Sequence, residues 1–109
     1  MSAYVIFVVD EENDAEVMKT YRQSSRASLD GRDVKVITLP SCNKEVLEGE
    51  DVACIVILEF PDMEQARDWY HSEEYQKWAP MRKGVSKGSA FIVDGFVPMD
   101  TAHWASARI

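Results

Sequence analysis

The chain has 109 residues, a length that suits one domain with a modest core. Hydrophobic residues make up 46% of the sequence and charged residues 28%, which excludes an intrinsically disordered chain. Because the formal net charge of -7 repels phosphate backbones, we expect no nucleic-acid partner.

The first predicted strand covers Ala3 to Val9, in which the side chains of both faces are apolar. An acidic turn is expected at residues 10–12. Asn13 followed by Glu16 three residues later forms a capping-box pattern for a helix that runs to about Ala27.

The middle of the chain predicts two strands and a connection. Asp33 to Leu39 reads as a strand near a sheet edge, and Lys44 to Leu47 as a short edge ribbon. The unbroken apolar run Val52 to Leu58 predicts a central strand buried on both faces, in which Cys54 packs as a small hydrophobe. Pro61 stops this strand because proline has no N–H to donate.

Two capping signals predict the helices of the second half. Asp62 with Gln65 forms a capping box for a helix from Met63 to Tyr70. Ser72 is the predicted cap of a second short helix that covers Glu73 to about Arg82.

The last predicted strand is Ser89 to Phe96, after a loop marked by Gly84 and Gly88. The order strand, helix, strand, strand, helix, strand is typical of the ferredoxin-like α+β fold, a four-stranded antiparallel sheet. Right-handed crossovers place both helices on one face of that sheet. We expect residues 1–97 to form this domain and residues 98–109 a tail.

A sheet that is apolar on both faces needs a second cover. The uncovered face would expose an apolar patch larger than the roughly 300–600 Å² that is usual for a monomer. We therefore predict a two-fold homodimer that packs sheet against sheet, with the C-terminal tail reaching the partner.

The stretch from Glu59 to Tyr75 reads E-F-P-x-x-E-x-A-x-x-W-Y-x-S-x-x-Y. This motif resembles the core motif of the DUF1330 family, a domain of unknown function. The opening Tyr4-Val5-Ile6, the step Leu47-Glu48-Gly49 and the step Pro80-x-Arg82 are similar to that family as well. The resemblance covers about residues 2 to 97 and implies a dimeric α+β barrel, but it implies no particular reaction.

Three residues are candidates for catalysis. His71 ends a helix, and a histidine side chain can act as an acid or a base near neutral pH, although a surface histidine that interacts with the helix dipole is the simpler interpretation. Glu59 ends a buried strand, where it acts as a reactive carboxylate or as a structural acceptor. Arg82 either clamps an anionic substrate or ties its loop to Glu59 or Glu74.

Four residues are candidates for ligand binding. Tyr4, Trp69 and Tyr70 supply aromatic surface, which is more often core than pocket. Asp94 interrupts an apolar strand and lines either a cavity or the mouth of the barrel. The histidines and cysteines lack the spacing of a metal site, so we predict no metal and no cofactor.

The sequence therefore predicts a cytoplasmic homodimer that binds a small molecule near its central strand, without a signal peptide or a membrane-spanning run. Its more specific form is an enzyme that needs no cofactor. The alternative is a non-catalytic dimerisation or accessory protein whose barrel is filled. A cavity that touches the candidate residues distinguishes the two.

Overall fold

A computed structural model describes residues 2–96 as one four-stranded antiparallel sheet with helices packed against it. The strands lie in the order β2-β3-β1-β4, so the predicted ferredoxin-like topology is confirmed. The elements are β1 (Ala3–Glu12), α1 (Ala15–Ser25), a 3₁₀ turn (Arg26–Leu29), β2 (Lys35–Thr38), β3 (Cys54–Phe60), α2 (Met63–Tyr70), α3 (Glu73–Gln76), α4 (Ala79–Val85) and β4 (Ser86–Asp94). The predicted tail from residue 98 lies outside the described residues. Within residues 2–96, no helix has the length and apolar character needed to cross a membrane.

The side chains of β1 divide strictly between the two faces of the sheet. Ala3, Val5, Phe7 and Val9 are buried, and the first three join residues of α1, α2 and α3 in one core. The intervening residues of β1 are only half-buried. We call their side of the sheet the open face, and its apolar members are Tyr4, Ile6, Val8, Ile55, Ile57, Phe91 and Val93. The expectation that the helices cover one face only is thus met in the described part of the chain.

The predicted acidic turn at residues 10–12 is wrong, because β1 continues through Glu12. A register shift after Val9 realigns the strand, and Glu11 then lies opposite Lys87 of β4. Opposite charges across a strand pair favour this extension. The cap of α1 is also one residue later than predicted, since Asp14 rather than Asn13 accepts the backbone N–H of Val17, at 3.1 Å.

The capping signals of the second half are confirmed. The Asp62 carboxylate accepts the backbone N–H of Gln65 at 2.8 Å, and the Gln65 amide donates back to it at 3.2 Å. The Ser72 hydroxyl accepts the backbone N–H of Tyr75 at 3.2 Å. The second predicted helix is divided into α3 and α4, because Pro80 has no N–H to continue a helix and suits a first turn.

The predicted edge ribbon at Lys44 to Leu47 is wrong, because these residues lie in the exposed loop between β2 and β3. The Lys44 ammonium donates to the Asp51 carboxylate at 2.6 Å, which closes the loop on itself. Gly49, with φ of +89°, turns the backbone in a conformation that other residues rarely adopt. The segment is thus held by its own loop instead of a neighbouring strand.

The predicted glycine loop is also wrong, since Gly84 lies in α4 and Gly88 in β4. A β-carbon at Gly88 would stand 2.1 Å from the carbonyl oxygen of Val8. Gly88 therefore serves the close approach of two strands beside the register shift, a known use of glycine in sheets.

The two glycines provide a matched test by substitution with alanine. We expect Gly88→Ala to lower the free energy of unfolding by about 1–3 kcal/mol, because backbone atoms must move to admit the methyl group. Gly84→Ala meets no atom within 4 Å and should raise stability by up to about 1 kcal/mol, as alanine is the better helix former. Urea unfolding followed by circular dichroism measures both, and equal effects of the two substitutions would contradict the strand packing described.

Candidate ligand-binding cleft

A cleft of about 510 Å³ lies between the helix-covered face of the sheet, α1 with its 3₁₀ turn, and the start of the loop after β2. Its volume lies within the range of about 300–1,000 Å³ that is usual for small-molecule sites. The wall is mostly apolar and includes Phe7, Val9, Met18, Leu29, Val36, Leu39, Val56 and Leu58. Aliphatic strand residues opposite the α1 layer thus form a space suited to an apolar guest.

A polar cluster of Tyr21, Tyr75 and Arg82 lies at one part of this wall. The two phenol oxygens are 2.6 Å apart and share a hydrogen bond. The Arg82 guanidinium lies over two aromatic rings, 5.1 Å from the centroid of Phe7 and 5.9 Å from that of Tyr21. Its Nε is buried and finds no hydrogen-bond partner among residues 2–96. The cluster therefore places one cation and two hydroxyl groups beside an apolar space.

The protonation states of this cluster follow from its surroundings. Burial is the main cause that raises the pKa of Tyr75, and the neighbouring Tyr21 adds to it while Arg82 opposes it. Burial also acts to lower the pKa of Arg82, but the oxygens of Tyr75 and Tyr21 outweigh it and the pKa is raised. At neutral pH the site thus holds a neutral Tyr75 phenol and a charged guanidinium.

A second polar group borders the cleft at Arg22 and Cys54. Arg22 pairs with the Glu12 carboxylate and lies 3.7 Å from the Cys54 sulfur. Burial, the largest effect, raises the pKa of the Cys54 thiol, which therefore stays protonated and weakly nucleophilic. The expectation of a buried thiol at this position is confirmed.

Trp69 is fixed in the cleft wall by contacts on several sides. Its indole N–H donates to the Ser28 hydroxyl at 2.9 Å, and that hydroxyl donates to the carbonyl of Ser25 at 2.5 Å. Its ring stacks on Phe60 with a distance of 5.7 Å between the ring centroids, and it meets Phe7 edge-on with a centroid distance of 6.3 Å. The wall of the cleft is thus preformed on this side.

The structure separates the three candidate catalytic residues. Arg82 lines the cleft, whereas Glu59 lies on the open face, where it is paired with Tyr4 and accepts a hydrogen bond from the Ser2 hydroxyl. His71 is exposed at the carboxyl end of α2 and does not line the cleft. Their predicted cooperation in one site is not reproduced by the geometry of residues 2–96.

The candidate ligand-binding residues are scattered as well. Trp69 lines the cleft, and Tyr70 packs beside it with its ring 5.4 Å from that of Tyr75. Tyr4 lies on the open face, and Asp94 is exposed at the end of β4. Within residues 2–96, no group of three His, Cys, Asp or Glu side chains is placed to hold a metal ion.

Sequence reasoning missed the contribution of Tyr21 and Tyr75 to the site. Tyr21 lies in the apolar stripe of α1, and such a position usually denotes core. The available signal was the phenol hydroxyl itself, which needs a partner when it is buried. Its partner stands 54 residues away and is brought near only by the fold.

The raised pKa of Tyr75 predicts a late step in an alkaline titration. Tyr75 should ionise only as the protein unfolds, and Tyr75→Phe should remove this late component. The stability contributed by the buried neutral phenol is fully present below pH 10 and is lost as the pH rises further. Absorbance near 295 nm gives the titration, and near-ultraviolet circular dichroism gives the folded state.

Tyr21→Phe is the matched control for this titration. Because burial is the largest cause of the shift, the late step should persist in this variant at a somewhat lower pH. Ionisation of all four tyrosines in the folded wild-type protein would contradict the buried position of Tyr75.

Comparisons with known proteins identify the fold and its family. The model of the DUF1330 family, a domain of unknown function, matches residues 2–96. No curated protein matches the chain.

The solved structures that are similar in fold include the following three. A protein of unknown function from Rhodopseudomonas palustris has a TM-score of 0.68 at 14% identity, covering 89% of this chain and 84% of its own. A dimeric protein of unknown function and ferredoxin-like fold from Bacteroides fragilis has a TM-score of 0.50 at 9% identity, covering 86% and 95%. SnoaB, a cofactor-independent oxygenase from Streptomyces nogalater, has a TM-score of 0.50 at 9% identity, covering 90% and 94%. At these identities the likeness establishes the fold alone.

Proposed function

The chain belongs to the DUF1330 family, and we propose that it is a homodimeric domain that binds a small, largely apolar molecule in the cleft between its sheet and its helices. The observation that carries this proposal is the cleft of about 510 Å³ with the polar cluster of Tyr21, Tyr75 and Arg82 in its wall. An apolar space with a few convergent polar groups and perturbed pKa values is the usual form of a ligand site.

The more specific proposal is an enzyme that uses no cofactor. A charged guanidinium and two phenol hydroxyls are donors of the kind that stabilise negative charge on a reacting oxygen. A fold similar to that of SnoaB, which is described as a cofactor-independent oxygenase, supports this form of the proposal. In it Arg82 keeps the role predicted from the sequence, whereas His71 and Glu59 do not take part from their positions.

The alternative, a non-catalytic accessory protein, required a filled interior and a Glu59 engaged in hydrogen bonding. The hydrogen bond from Ser2 to Glu59 favours a structural role for that carboxylate. The cleft beside α1 favours ligand binding over a wholly filled domain.

Filling the cleft tests the binding proposal. Ser25, which lines the cleft, and Ser24, which does not, are neighbours in α1. In a thermal-shift screen against apolar ring compounds, we expect wild type and Ser24→Phe to respond to the same compounds. Ser25→Phe should lose most of the response, because its ring occupies the guest's volume.

Two outcomes would count against the site. A wild-type protein that gives no shift with any compound would remove the support for ligand binding. Compounds that lose their effect in His71→Ala and keep it in Ser25→Phe would place the site at the histidine instead.

The homodimer is proposed from the open face. Phe91 and Val93 of β4 are 55% and 45% exposed, and the half-buried Ile6 and Ile57 continue the same apolar surface. Burying such a surface contributes about 25 cal/mol per Å², and a second copy presents a matching face about a two-fold axis. The similar fold of the protein from Bacteroides fragilis, which is described as dimeric, supports this arrangement.

Phe91→Glu tests the dimer. A carboxylate buried between the paired faces should shift the sedimentation mass at micromolar concentration from two subunits to one. Gln23→Glu, which adds the same charge at an exposed position of α1, should leave the mass of two subunits unchanged. A wild-type mass of one subunit would contradict the proposed assembly.

A further inference from the structure

The charge of the cleft is opposite to that of the whole chain. The sequence carries a formal net charge of -7, yet among residues 2–96 the cleft lining includes Arg22, Arg26 and Arg82 and no aspartate or glutamate. A cleft with positive walls in an acidic protein attracts negatively charged molecules.

Only some of this positive charge is balanced within the described residues. Arg22 forms an ion pair with Glu12. Arg82 has no carboxylate within ion-pair distance among residues 2–96. Of the partners that the sequence suggested for it, Glu74 pairs with Arg32 at 3.8 Å and Glu59 lies on the other face of the sheet.

Within residues 2–96, the immediate neighbours of the Arg82 side chain do not supply a negative charge. They are the rings of Phe7 and Tyr21 and the phenol oxygen of Tyr75. Burial keeps the Tyr75 phenol neutral by raising its pKa. A partly desolvated cation without a counter-ion is costly, and in proteins such charges are normally paired.

We propose that the ligand of the cleft is an apolar molecule that carries one anionic oxygen group, such as a carboxylate, a sulfonate or a phenolate, and that this group pairs with Arg82. This inference rests on the proposed binding function and specifies its substrate class. The hydroxyls of Tyr21 and Tyr75 adjoin the guanidinium and complete the polar end. The apolar body of the molecule lies along the aliphatic wall, which includes Val9, Met18 and Leu58.

Two fluorescent probes of nearly equal shape test the charge requirement. 1-Anilinonaphthalene-8-sulfonate and N-phenyl-1-naphthylamine share the same ring system, and only the first carries a sulfonate. We expect the wild-type protein to bind the sulfonate probe about tenfold more tightly or better, since a charge-assisted hydrogen bond adds at least that factor. Titrations of both probes against Ser25→Phe identify the part of the signal that comes from the cleft rather than from the open face.

Substitution of Arg82 assigns the preference to one side chain. Arg82→Met should abolish the advantage of the sulfonate probe while it keeps binding of the neutral probe, and Arg82→Lys should retain part of the advantage. Arg67→Met removes an exposed arginine of α2 that does not line the cleft, and it should leave both affinities unchanged. If Arg82→Met fails to fold, the comparison of the two probes in the wild-type protein still tests the charge requirement.

The outcomes distinguish this inference from the proposed ligand-binding function on which it rests. Equal binding of both probes in the wild-type cleft would overturn the anionic ligand and leave the binding function standing. If Ser25→Phe weakens the binding of neither probe, the proposed binding function itself is overturned. A sulfonate advantage that survives in a folded Arg82→Met protein would overturn the role of Arg82.

Discussion

The division of β1 side chains between two faces is the constraint on which the rest of the domain depends. Because β1 pairs with both β3 and β4, its register sets which residues of those strands face the helices. Four alternate residues of the strand, from Ala3 to Val9, enter the core. A shift by one residue would place Tyr4, Ile6 and Val8 there instead and would expose Phe7. The close approach at Gly88 and the realignment after Val9 hold this register at the far end of the strand.

The cleft follows from an uneven core. Aromatic rings of Phe60, Trp69 and Tyr75 fill the space between the sheet and α2 with α3. Toward β2, the residues that face the helices are smaller, such as Val56 and Cys54, and β2 itself is a short and exposed edge strand. Large side chains are lacking on that side, and the remaining volume lies beside α1. The same unequal distribution of side-chain size gives the domain a closely packed half and a concave half.

The local signals of the second half of the sequence were reliable, whereas the cap of α1 lies one residue later than its signal predicts. Asp62, Ser72 and Pro61 act through their own backbone neighbours, and all three behave as their spacing predicts. The order of elements, and with it the fold, followed from such signals together with the apolar runs. Gly88 could not be placed in the same way, because glycine marks both turns and close strand contacts.

The site was less predictable because it is assembled from distant segments. Trp69 and Arg82 are predicted from the sequence and do line the cleft, whereas Tyr21 lies in the apolar stripe of α1 and Tyr75 enters the prediction only through the family motif. Glu59 and Arg82 are both candidates for catalysis from the sequence. Side chains alternate between the two faces of β3. Because Leu58 faces the helices, the next residue, Glu59, points to the open face and away from Arg82. Alternation along a strand is readable from sequence, whereas the face that receives the helices depends on the whole topology.

The ionisation of the cleft residues has a consequence for any chemistry that takes place there. For Tyr75, Arg82 and Cys54 the pKa is displaced upward, away from neutrality. The electrical state of these three groups is therefore constant throughout the physiological range, and none of them is suited to exchange protons rapidly with a guest. A bound molecule would meet these three groups in fixed charge states, and an acid–base step near neutral pH would not take its proton from any of them.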